Sequence, residues 1–373
     1  MKNNKKKNIS FWIFGLIVFI FLIEVLSYFF LQTYKKSNEV YFNDIELSFK
    51  NLNQNLKDVE KFFYSKNYSA NLGWDNNSSK KLNNIKARID TKNQSKDKKY
   101  ITFGSSFTWG DGVGNEETWQ YYLSSETNSY VANFGVGGYS IYQSLLKFKD
   151  FGKTSKNFEY VILTIFESEI DRIRNGYLNF YFKSGYRIRP LAKKENNNLT
   201  HLDLPKFSNS KFSIEEYKKY INNIKDQDPW WTRRVKIKFP FIFSLTKFVS
   251  LKLQDKYEFK LFFKDHKNTW TNPKTNKLFL DIIDEFVSHS KNLNLKPVVV
   301  FLPRIRNKLA SGYKFNLLEK KLIDKNYCII NFSKYINKNK VQNNKLTVLE
   351  DGHYSGYTYK VLAKFIFDEL QNC

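Results

Sequence analysis

Two short runs in this chain hold residue types whose spacing could carry out acyl transfer. The first, Ile101 to Val113, reads Ile-Thr-Phe-Gly-Ser-Ser-Phe-Thr-Trp-Gly-Asp-Gly-Val. A β-prone stretch ends in Gly104, two serines follow, and helix-compatible residues come next. A nucleophile on a strand-to-helix turn has this layout: glycine permits the tight turn, and the backbone N–H groups after it face whatever the serine attacks. A polar turn joining a strand to a helix has the same layout, so these residues leave both readings open.

The second run, Leu349 to Ser355, is Leu-Glu-Asp-Gly-His-Tyr-Ser, just ahead of a helical stretch. An acid two or three residues before a histidine can hold one ring N–H while the other nitrogen takes a proton from a serine. The chain has 4 histidines, His201, His266, His289 and His353, and only His353 follows an acid–glycine turn. Asp351 and Glu350 both precede it, and spacing alone leaves the acid open between them.

Taken together, the two runs resemble an SGNH/GDSL-type serine hydrolase of the membrane-anchored esterase or acylhydrolase kind. The resemblance covers about residues 100–174 and 296–370, with Leu72-Gly73-Trp74 similar to a lead-in of anchored members. The block Gly-Asp-Ser-Phe-Thr-x-Gly is matched by Gly104 to Gly110, which implies Ser106 as nucleophile, with Ser105 where the pattern has aspartate. The block Asn-x-Gly-Val-x-Gly-Tyr-Ser is matched by Asn133 to Ser140 and implies that the backbone N–H groups of Ser106 and Gly138 face the oxyanion. The last block is matched by Asp351-Gly352-His353, implying His353 as base and Asp351 as its partner, with Glu350 second in rank. The third block departs from the pattern. Where Gly-Asn-Asp is usual, the chain has Phe166-Glu167-Ser168-Glu169, so Ser168 or Glu169 stands in for the oxyanion asparagine. Losing one such donor costs on the order of 10²–10³ in rate.

The elements that must position these groups follow from the pattern. Short β-prone runs alternate with helical ones: strands at Tyr100–Phe103, Tyr130–Phe134, Phe158–Phe166, Lys296–Pro303 and Tyr327–Phe332, and helices at Glu116–Glu126, Ile141–Phe151, Lys277–Leu293, Phe315–Ile323 and Tyr357–Leu370. Such alternation predicts a parallel sheet flanked by helices, and with the resemblance the expected fold is a three-layer α/β/α, flavodoxin-like domain over residues 99–373. Between about 175 and 275 the alternation fails. That stretch, with Trp230, Trp231 and Arg233-Arg234-Val235-Lys236, reads as a cap shaping the substrate site or as a peripheral insert on the anchor side or the membrane surface.

Ahead of the domain, residues 1–10 carry Lys2, Lys5, Lys6 and Lys7 and no acid. Phe11 to Leu31 is apolar apart from Gly15, Ser27 and Glu24 and is long enough to cross a bilayer, which sets residues 11–32 as the membrane segment. With no small-x-small cleavage pattern after it, the segment reads as a signal anchor, N-terminus cytoplasmic and the catalytic domain periplasmic or extracellular. Glu24 is expected to reach the interface or stay neutral, and the polar residues 33–98 to form a stalk and lead-in. Lysine and arginine outnumber aspartate and glutamate 61 to 36, a formal charge of +25, but the lysines are scattered, so a solvated surface rather than a nucleic-acid site is expected. Cys328 and Cys373 fit no metal spacing, and Cys328 in an apolar run is expected as a buried free thiol. No metal or organic cofactor is implied. The expected reaction is hydrolysis or transfer of a small acyl group on a carbohydrate. The competing expectations are a lipid acylhydrolase and a non-catalytic carbohydrate-binding or assembly protein on the same fold.

Overall fold

A computed structural model describes residues 2–65, 67–76, 81–151, 157–181, 185–206, 212–257, 272–306, 309–310, 313–338 and 349–373. The chain divides into two units, one of residues 1–59, 177–186 and 221–267, the other of residues 60–176, 187–220 and 268–373. Residues 60–98, expected as stalk and lead-in, therefore cluster with the sheet, and the 175–275 stretch is shared between the units. Part of that stretch, His266 included, lies outside the described residues.

The second unit is built on five parallel strands, β1 (Lys98–Phe103), β2 (Tyr130–Asn133), β3 (Tyr160–Phe166), β4 (Lys296–Leu302) and β5 (Cys328–Asn331). Their spatial order is β5-β4-β3-β1-β2, the flavodoxin-like order, with the reversal between β1 and β3. Helices α1 (Ser106–Trp109), α2 (Trp119–Thr127), α3 (Ile141–Phe151), α4 (Pro273–Asn292), α5 (Tyr313–Ile323) and α6 (Gly356–Leu370) cover it.

Alternation along the strands assigns the layers. Ile101, Phe103, Val161, Leu163, Ile165, Val299 and Phe301 face one core with Leu145 and Phe148 of α3 and Phe279, Ile282 and Phe286 of α4. Tyr100, Ile162, Val298, Val300 and Leu302 face the other, with Trp119 and Leu123 of α2 and Tyr359, Leu362 and Ile366 of α6. Strands apolar on both faces belong in a sheet covered on both sides. The helices start where capping residues satisfy their free N–H groups. Asn272 accepts from Lys274 and Thr275 ahead of α4 (3.0 and 3.1 Å), and Ser355 accepts from Thr358 ahead of α6 (3.3 Å).

The cysteines correct the sequence reading. Cys328 is half-buried and forms a disulfide with Cys373, Cα to Cα 5.4 Å. A helix packed on a parallel sheet runs back against its strands, so α6 returns the chain end to the edge where β5 begins. Closing the intervening 45 residues removes about 4 kcal/mol of unfolded-chain freedom in the chain-entropy account.

In the first unit, the N-terminal helix Lys2–Lys35 contains a segment, Ser10–Lys35, long and apolar enough to cross a membrane. Helix Phe241–Tyr257 packs along it, and Leu31, Phe42, Val235, Phe248 and Leu251 form the unit's apolar cluster. Glu24 is buried and its carboxyl oxygens accept the N–H groups of Phe241 and Ile242, in place of the exposed side chain that reaching the interface would require. Trp230 and Trp231 are core residues too. Trp230 lies on Tyr181 (4.6 Å between ring centres) and Trp231 on Phe180 (4.8 Å), so neither offers a face for stacking a sugar.

Candidate active site

The loops that leave the C-terminal ends of β1, β2 and β3 meet at the reversal of strand order, where open α/β sheets place their ligands. After β1 the chain turns through Gly104 into α1, whose first residue is Ser106. A Cβ on Gly104 would run into Thr108 and come within 2.9 Å of the Thr164 carbonyl oxygen, so only glycine lets the turn sit this close to β3. Gly135, in the loop after β2, packs its Cα on the backbone of Thr108 and Trp109, and Val136 N–H donates to Gly104 O (3.0 Å). The loop after β2 is thereby fixed against the start of α1. Gly138 in that loop has φ +79°, a conformation that favours glycine.

Side chains to which the motif reading gave no role hold this turn. Asn133 Nδ2 donates to Thr108 O (2.9 Å) and Trp109 O (3.2 Å), and Gln120 Nε2 to Thr108 O (2.8 Å). Arg88, buried, donates to Gly110 O (2.8 Å) and Val113 O (2.7 Å) and also reaches Trp109 O. Burial lowers the pKa of its guanidinium. These donors occupy the carbonyl end of α1, which is too short to satisfy itself. Trp74 braces the glycine loop. Its indole N–H donates to Gly137 O (3.0 Å), its ring lies 3.5 Å from where a Gly138 Cβ would be, and Tyr139 OH donates to its carbonyl.

His353 approaches from the loop ahead of α6. Gly352, at φ +87°, turns the chain so that Asp351 Oδ1 accepts His353 N–H (3.0 Å) while Oδ2 meets imidazole Nδ1 (2.9 Å). Those two bonds, the backbone one first, lower the pKa of Asp351 although it is largely exposed. Glu350 is exposed and makes no bond to the ring. The imidazole lies 4.9 Å from the ring of Phe107, the residue after Ser106, and Phe107 stacks on Phe166 at the end of β3 at 3.7 Å. One aromatic ring thus ties together the first, third and last motif blocks. His201 pairs with Tyr142 OH (2.8 Å) and His289 lies on Phe148 (5.1 Å), so neither belongs to this cluster. Asp111 does: its N–H donates to Ser106 O (3.0 Å), and its carboxylate is 3.1 Å from the Cβ position of Gly137. Burial raises its pKa, and the neighbouring His353 and Arg88 oppose that rise.

The two departures from the family pattern touch each other. Glu169 is fully buried; its Oε1 accepts Phe166 N–H (3.0 Å), and the Ser105 hydroxyl lies beside it. The Ser105 hydroxyl and the Glu169 carboxyl are thus buried neighbours. Ser168 has its Oγ 3.4 Å from Arg172, whose other nitrogen donates to Tyr139 O (3.0 Å). Desolvation lifts Glu169 from the usual 4.5 to about 7, against the opposing pull of Arg172. A carboxyl whose native pKa exceeds its unfolded one adds stability in full below the unfolded value and loses it as pH rises through the native one. Stability should therefore fall between about pH 4.5 and 7, by about 3 kcal/mol for this group. Glu169→Gln should flatten that part of the profile in denaturant unfolding across pH.

No family model and no curated protein matches the chain. Solved structures do. A protein from Desulfitobacterium hafniense assigned to the lipolytic G-D-S-L family is 12% identical, with a TM-score of 0.34 over 73% of this chain and 99% of its own. A member of the same family from Veillonella parvula is 10% identical, with a TM-score of 0.35 over 72% and 96%. Overlays at these scores carry no argument of their own, and the chemistry has to be read from the side chains.

Proposed function

We propose that the protein is a membrane-anchored serine esterase or acyl transferase working outside the cytoplasm, and that it removes or moves a small acyl group on a carbohydrate. The observation that carries this reading is the Asp351–His353 pair set against Phe107, directly beside Ser106. Ser106 Oγ attacks the ester carbonyl while its proton passes to the free imidazole nitrogen of His353. Asp351 holds Nδ1 and stabilises the imidazolium. The backbone N–H groups of Ser106 and Gly138, with the Ser168 hydroxyl in place of asparagine, receive the oxyanion. The bond from the acyl carbon to the sugar oxygen then breaks as His353 gives its proton to that leaving oxygen; water or a second hydroxyl, deprotonated by His353, attacks the acyl carbon, and Ser106 leaves with the proton returned to its Oγ. No metal or organic cofactor enters these steps.

Two observations support the location: the apolar N-terminal segment preceded by lysines, and the Cys328–Cys373 disulfide, which suits an oxidising compartment. A reporter active only outside the cytoplasm, fused after Cys373, is expected to be active. Activity of a cytoplasmic reporter instead would reverse the topology. For the substrate, purified full-length protein is expected to release acetate from acetylated oligosaccharides and from a short-chain aryl ester. Release of fatty acid from phospholipid vesicles with no action on acetylated sugar would move the assignment to a lipid acylhydrolase.

A further inference from the structure

A carboxylate inside an apolar span is expensive unless something satisfies it. Glu24 lies seven residues before Leu31, so on a straight helix it is about 10 Å inside the end of the apolar segment. Its partners are the N–H groups of Phe241, at the start of helix Phe241–Tyr257, and of Ile242, at 3.5 Å. Those groups carry the positive end of the helix dipole and suit an anion. The start of helix Phe241–Tyr257 therefore lies at the depth of Glu24.

Ring contacts give the helix its direction. Phe241 lies against Tyr28 (4.9 Å) and Phe248 against Tyr34 (6.4 Å), so it climbs alongside the span toward the span's C-terminal end. The segment before it descends. Val235 is bonded to the backbone of Tyr41 and Asn43 (2.8 and 2.9 Å), beyond the apolar stretch, and five residues later Pro240 is at the depth of Glu24. At the tip, Phe239 is 72% and Phe243 67% exposed, as are most apolar side chains of the span, and the Phe239 ring contacts Phe241, which itself lies on Tyr28 of the span.

Irregular backbone survives among acyl chains only where its polar groups are satisfied internally. Here they are. Buried Ser244 Oγ accepts Lys238 N–H (3.3 Å) and lies 3.2 Å from the carbonyl oxygens of both Lys236 and Lys238. Pro240 has no N–H to satisfy, and Glu24 takes the next two. The long side chains of Lys236, Lys238 and Lys252 are exposed and can extend back to headgroup level.

We propose that residues 236–249 form a re-entrant aromatic wedge that buries Phe239 and Phe243 among the acyl chains of the leaflet on the C-terminal side of the span. Its lysine collar faces that leaflet's anionic headgroups. The proposal rests on the N-terminal helix crossing the membrane. The wedge gives this unit a second hold on the bilayer beside the span itself.

The test uses the full-length protein in vesicles of phosphatidylcholine and phosphatidylglycerol, nitroxide-labelled singly at Phe239→Cys, Phe243→Cys or, on the span, Phe19→Cys. The native cysteines are paired and do not take the label. Accessibility to oxygen is compared with that to a water-soluble nickel complex. The expected result is lipid-type accessibility, oxygen above nickel, at all three positions. Lipid-type accessibility at 19 with water-type accessibility at 239 and 243 overturns the wedge while leaving the span intact. Labels at 239 and 243 reached by neither collider mean that protein, a second copy included, covers the tip, which also overturns it. Water-type accessibility at 19 overturns the span reading, and the wedge with it.

Discussion

Ser106→Ala is expected to lower turnover of a short-chain aryl ester by on the order of 10⁴–10⁶, and His353→Ala by a similar factor. The double variant should be little slower than either single one. Once the nucleophile is gone there is nothing for the base to activate, and groups that act as a unit are strongly non-additive. Both variants should keep the wild-type unfolding midpoint to within a few degrees. Ser106 loses only a hydroxyl, and His353 is half-buried on a loop rather than in either core. Multiplying losses in the double variant would instead mean that the two residues act independently. A slow wild-type rate is compatible with the account, because the third block offers the Ser168 hydroxyl where an amide would stand.

Asp351→Asn is expected to give the second largest loss, about 10²–10⁴ in kcat, with Glu350→Gln close to wild type. The carboxylate accepts from imidazole Nδ1 and so leaves the other nitrogen free to take the serine proton. An amide in its place can donate to Nδ1 and stabilise the wrong tautomer. Asp351 also accepts the His353 N–H and shapes the loop, so Asp351→Glu separates the roles. That variant keeps the charge but misplaces it, and it should recover part of the rate lost in Asp351→Asn. The reverse ranking, with Glu350→Gln the slower enzyme, would reassign the acid.

Most of the sheet was legible because its signal is local. The apolar run Val161 to Phe166 is the pattern of a strand buried on both faces, and the observed strand begins only two residues after the expected Phe158. The Asp351–His353 pair was legible for the same reason, two residues apart with a glycine between. What escaped depended on contacts far apart in sequence. Arg88 clamps carbonyls at Trp109, Gly110 and Val113, and nothing around Arg88 marks it. Cys328 looked like a core thiol because its strand is apolar, yet it begins an edge strand where the chain end returns. Ser105 and Glu169 looked like two separate losses until the carboxylate of one was found beside the hydroxyl of the other. Trp230 and Trp231 fell in a stretch that could have been a cap over the substrate because exposure cannot be read from composition, and both are packed away.

The central claim is that Ser106 is an activated nucleophile. It is tested most directly by treating the full-length protein with a fluorophosphonate and locating the adduct by peptide mass spectrometry. The account predicts one phosphonylated residue, Ser106, with labelling abolished by prior heat denaturation and strongly slowed in His353→Ala. A folded wild-type protein that takes up no label at Ser106, and that releases acetate from no ester offered, would contradict it and leave a binding protein on a hydrolase-like fold.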